Sequence, residues 1–108
     1  MKMNERNHPY PKGLYLKLCM RQILICEAGS DYSEDSEQFA DNQLLIATRA
    51  SMSERLGKAA EKGRHGWWDK NVCTIEELYS MRDKALADKD HVSVLNFTAM
   101  IAMRESVE

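Results

Sequence analysis

Glu34 and Glu37 stand three residues apart, a spacing that puts two carboxylates on one helical face. Mg²⁺-dependent nucleotide pyrophosphatases hold their metal with such pairs, but they need a second acidic helix facing the first. A second Glu-x-x-Glu pair, Glu105 and Glu108, falls in the last four residues. Glu34 and Glu37 therefore read better as a solvated helix start that complements the dipole, and a small metal-dependent hydrolase ranks third among the readings. Cys19, Cys26 and Cys73, with His65 and His91, are the other conceivable ligands. No C-x₂-C or H-x₃-H pair is present, and structural zinc normally starts from such short chelating pairs. Core thiols are the better reading, since free cysteine is among the most buried residue types. Nor does the chain spell out a nucleophile beside its base. The sequence thus predicts no catalytic residues, no metal site, no cofactor and no enzymatic activity.

Trp67 and Trp68 follow a basic stretch of Lys58, Lys62, Arg64 and His65. Tryptophan and arginine dominate interface energetics, so the segment fits a protein hot spot; the same residues fit a base-stacking platform. Neighbours in an extended segment point to opposite sides, so Trp67 is expected to plug the core while Trp68 faces outward. Arg64, His65, Trp68, Lys58 and Lys62 are the candidate partner-binding residues. Both rings simply closing the core is the plainer alternative. A DNA-reading helix is disfavoured, because the last helical stretch is largely apolar with Arg104 as its one cation near the end, whereas recognition helices expose polar and basic side chains.

The elements that must position these residues follow from composition and periodicity. With 108 residues, 44% of them apolar and 30% charged, the chain is expected to form one globular domain. Fifteen basic against seventeen acidic residues give a net charge of −2, which supplies no global field for nucleic acid. The polar first residues lack the apolar core of a secretory signal, and an odd cysteine count suits reduced thiols in a cytoplasm. The longest apolar run, Ile23 to Cys26, is far short of the ~20 residues of a membrane span.

Pro9 and Pro11 make residues 1–12 an extended arm. Leu16, Cys19, Met20, Ile23 and Cys26 mark a first helix, with Gly29 placed to end it. Residues 30–34 offer several N-caps for a second helix running to about Lys62, with Phe39, Leu45, Met52, Leu56 and Ala59 as its stripe, Leu44 and Ile46 widening it, and Gly57 weakening its last turns. Gly63 and Gly66 bracket the clearest break. Thr74 and Glu77 then form a capping box for a third helix, and Asp88-Lys89-Asp90 turns into a fourth of about His91 to Ser106. That helix is apolar on two sides: Val92, Leu95, Ala99, Ala102 and Met103 on one, Val94, Phe97 and Ile101 on the other. A single neighbour covers only a ~100° stripe, so a homodimer or a docked N-terminal helix is expected to cover the second side. The fold class is all-α, an N-terminal helix and a long central helix packed on a C-terminal helical hairpin. Its parts are the arm, an N-terminal helical part over 13–62 and a Trp-anchored hairpin over 63–108, with Trp67, Thr74, Glu77 and Phe97 as structural residues.

Gly66-Trp67-Trp68-Asp69, Cys73-Thr74-Ile75-Glu76-Glu77-Leu78, the Asp88-Lys89-Asp90 turn, Val92, Val94, Asn96-Phe97 and Met103-Arg104 together carry a likeness over about residues 63–105. They resemble a small helical segment, G-W-x-D…C-[ST]-x-E-x-L…G-D-x-x-D-V-x-N-F…R, at the C-termini of accessory and early proteins of temperate tailed phages of enterobacteria. The family's turn often carries glycine where Lys89 stands, and a second tryptophan at Trp68 is not typical of it. The resemblance implies a phage or prophage gene expressed in a bacterial cytoplasm, and it implies no activity. The functional expectation is a non-enzymatic phage accessory protein that binds and modulates or inhibits a host bacterial protein, such as a nuclease, a recombination enzyme or a defence component. Nucleic-acid binding or regulation through residues 58–68 is the alternative.

Overall fold

The structure, a computed structural model, describes residues 14–27 and 33–107; the expected arm and the cap at Gly29 lie outside the described residues. The described chain is all-α, with four helices and no strand: α1 (Leu14–Glu27), α2 (Glu34–Glu61), α3 (Ile75–Ala87) and α4 (His91–Glu105). None of these helices is long and apolar enough to cross a membrane. The chain groups into two compact units that divide within α2, one up to Glu54 and one from Arg55 onward.

In the first unit, Ser33 starts α2 by accepting a bond from the Ser36 N–H at 3.1 Å, while its own N–H donates to Ser36 Oγ at 3.0 Å. The reciprocal pair is a capping box with serine in the place of glutamate. Three acids, Glu34, Asp35 and Glu37, fill the first turn, where the helix dipole favours them. The buried line of α2 differs from the bulky stripe expected above. Ala47 and Ser51, four apart, are its buried positions, whereas Leu44, Leu45 and Ile46 are exposed. Small side chains mark the inward face in this half of α2, while Phe39 and Met52 of the expected stripe are half-buried.

The second unit is built on the α3–α4 hairpin. Its core is Cys73, Leu78 and Ile101, with Trp67, Ile75, Tyr79, Phe97 and Met100 packed against them. Thr74 caps α3 as expected: Oγ1 accepts from the Glu77 N–H at 3.1 Å and Glu77 Oε2 accepts from the Thr74 N–H at 3.3 Å. Of the two apolar sides of α4, the one expected to need outside cover, carrying Phe97 and Ile101, faces the core. Of the other side, Val92 is buried and Ala99 half-buried, whereas Leu95, Ala102 and Met103 are exposed. The tie is broken by α3, whose fully buried Leu78 packs on Ile101.

α2 and α3 end alike. At the end of α2 the Gly63 N–H donates to Ala60 O and the Arg64 N–H to Ala59 O, both at 3.0 Å; after α3 the Lys89 N–H donates to Leu86 O at 3.1 Å and the Asp90 N–H to Ala85 O at 2.9 Å. Each pair satisfies the last carbonyls only if the residue after the cap turns left-handed. Gly63 does so freely at φ 80°, and Lys89 does so at φ 57° against its own Cβ. Lys89→Gly is therefore expected to stabilise the protein by about 1 kcal/mol, read as a higher denaturant midpoint. A lower midpoint would mean that the turn relaxes out of this conformation in solution.

Candidate functional site

The loop from Gly66 to Cys73 is shaped by three constraints. Gly66 is buried at φ 85°, and a Cβ there would come within 2.9 Å of Val72 Cγ1, so glycine is required on both counts. Asp69 organises the following turn: its Oδ1 accepts from the Asn71 N–H at 2.8 Å, and its carbonyl accepts from the N–H groups of Val72 and Cys73. Arg104, only 8% exposed, reaches from the last turn of α4 and donates through Nη1 to the carbonyls of Trp67 at 2.8 Å and Cys73 at 2.9 Å. One guanidinium thus fastens both ends of the loop.

This loop separates the two tryptophans. Trp67 packs on the core, while Trp68 is 64% exposed; their rings meet edge to face with centroids 5.9 Å apart. Trp68 is thereby braced by an anchored ring, which removes much of the rotamer freedom an exposed side chain would otherwise lose on binding. Both rings border a groove of about 570 Å³, lined by Leu56 and Ala59 of α2, by Leu78 and Met81 of α3 and by Phe97 and Met100 of α4. Arg64, His65, Trp68 and Val72 are exposed side chains that line it on the loop side. Lys58 and Lys62 are not among the lining residues. Along α2 they both lie to one side of the face that Leu56 and Ala59 turn to the groove.

The α2 wall is tied to the hairpin by charge. Arg55 Nη1 lies 2.8 and 2.7 Å from the two oxygens of Asp90 and 2.6 Å from Ser93 Oγ. Asp90 is also the N-cap of α4, accepting from the Ser93 N–H at 3.4 Å and from its hydroxyl at 2.8 Å. Burial acts to raise the Asp90 carboxyl, but the bonds from Arg55 and Ser93, with the charge of Arg55, outweigh it and hold the group below its ordinary value. On the groove floor, burial first and then the Glu77 carboxylate push the Cys73 thiol up, against a smaller opposing pull from Arg104. A thiol held neutral in this way is a poor nucleophile or ligand.

Among the described residues no three His, Cys, Asp or Glu side chains gather where they could hold a metal ion, so Glu34 and Glu37 acquire no facing acids there. The role of Arg104 as a fastener of the loop and the Arg55–Asp90–Ser93 cluster were not expected from the sequence. An arginine inside the apolar run of α4 is a signal that could have found the first; the second joins residues 35 and 38 apart and leaves no local trace. No family model, no curated protein and no solved structure matches the chain.

Proposed function

We propose that this chain is a non-enzymatic phage accessory protein that binds and modulates a host bacterial protein in the bacterial cytoplasm, and that the tryptophan-rimmed groove is where the partner docks. The observation that carries the reading is the exposed Trp68 braced on Trp67 at the edge of an apolar groove. Exposed aromatic anchors beside an apolar pocket are the typical centre of a protein interface. Arg64 and His65 on the same rim have no acidic partner among the described residues. The groove therefore fits an apolar side chain of the partner with a carboxylate next to it. The phage setting rests on the resemblance over residues 63–105.

Capture from a bacterial lysate by the full chain, with Trp68→Ala as the control bait, tests this reading. Trp68→Ala is expected to leave the unfolding midpoint nearly unchanged and to weaken partner binding by about 2 kcal/mol or more. A partner retained equally by the variant would remove the groove from the interface. Fluorescence titration with single- and double-stranded oligonucleotides at two salt concentrations covers the nucleic-acid alternative. Binding that falls steeply with salt and quenches Trp68 would overturn the proposal.

A further inference from the structure

The first unit carries a second surface, independent of the groove. α1 is apolar nearly all round: Leu16, Cys19 and Ile23 are half-buried, yet Leu18, Leu24 and Ile25 on another side are exposed, Ile25 at 69%. A helix with two apolar sides is one that is covered on both. Lys17 and Arg21 share that open side, and α1 contains no acid before its last residue. The first half of α2 is the reverse. Its open side bears Glu34, Glu37 and Asp41 followed by Leu44 and Leu45, and no cation occurs before Arg49. None of these five charges has an ion-pair partner among the described residues.

We propose that two copies of this chain associate through these faces, α1 of one copy lying along the first half of α2 of the other. The register supports a second copy over an unrelated partner. In both helices the charges come first and the large apolar residues follow at the same interval. Laid side by side in the same direction, Lys17 and Arg21 meet Glu37 and Asp41 while Leu24 and Ile25 meet Leu44 and Leu45. The two stretches are of equal length, about 21 Å. A two-fold pair makes this contact twice, which closes the assembly.

Sedimentation of the full chain over a range of concentrations, at two salt concentrations, reads the association. The wild-type chain is expected to form a dimer that weakens with salt. The chains carrying Lys17→Glu with Arg21→Glu, and Glu37→Lys with Asp41→Lys, are each expected to dimerise at least about tenfold more weakly, because like charges then face each other. An equimolar mixture of the two is expected to restore the dimer, since both contacts of the mixed pair are again complementary. Ile25→Ser, at an exposed position, is expected to weaken the dimer without loss of helical signal. A monomeric wild-type chain, a charge-reversed chain as dimeric as wild type, or a mixture that stays monomeric while both chains keep their helical spectra would each overturn the proposal.

Discussion

Arg104→Ala is expected to cost about 3–5 kcal/mol of folding stability. The substitution strips the carbonyls of Trp67 and Cys73 of their donor in a buried setting, and each orphaned group costs roughly 1–3 kcal/mol. The aliphatic stem of the arginine is lost from the core side of α4 as well. Both bonds use the same nitrogen, so Arg104→Lys, which keeps one cationic donor on a slightly shorter arm, is expected to lose less than half as much. Chemical unfolding followed through tryptophan fluorescence measures both variants. A loss below about 1 kcal/mol for alanine would show that water replaces the guanidinium and that the loop does not depend on it.

Leu78→Ala should cost a similar amount, about 3 kcal/mol or more. Leu78 has no exposed surface and sits between Cys73 and Ile101, so its neighbours cannot close over the space it leaves without moving α3 against α4. Because Leu78 also borders the groove, the void would open into it, and partner affinity is expected to fall along with stability. Calorimetry on the variant gives the first quantity. Stability reduced by less than about 1.5 kcal/mol would mean that the hairpin collapses around the gap.

What could be read in the sequence was whatever is written within a few residues. The Thr74–Glu77 capping box, the polar turn at Asp88-Lys89-Asp90 and the stop at Gly63 are local hydrogen-bond problems with local solutions, and α2, α3 and α4 begin and end within a residue or so of where those signals put them. Nothing in a lysine itself announces the left-handed backbone at Lys89; the hairpin imposes it, and the glycine that the resembling segment often carries there is its one trace. Which apolar positions of α2 and α4 are covered was illegible for a related reason. A stripe of apolar residues states that a face can be buried, and only the neighbouring element decides whether it is, as Leu78 does for Ile101. In the groove, Arg64, His65 and Trp68 could be grouped because they lie five residues apart or fewer, whereas its floor is assembled from α2, α3 and α4 together.

The reach of Arg104 has a consequence for how the groove comes into being. It joins the chain to Trp67 across 37 residues, and bringing such distant points together costs about 3 kcal/mol of loop-closure entropy before any contact repays it. The short α3–α4 hairpin can form from neighbouring residues, but the tryptophan loop has to wait for the last turn of α4. On a ribosome, the groove would be completed only once residue 104 had been made and had left the tunnel. A chain interrupted before residue 104 could carry every residue of the groove and still fail to hold its two tryptophans apart.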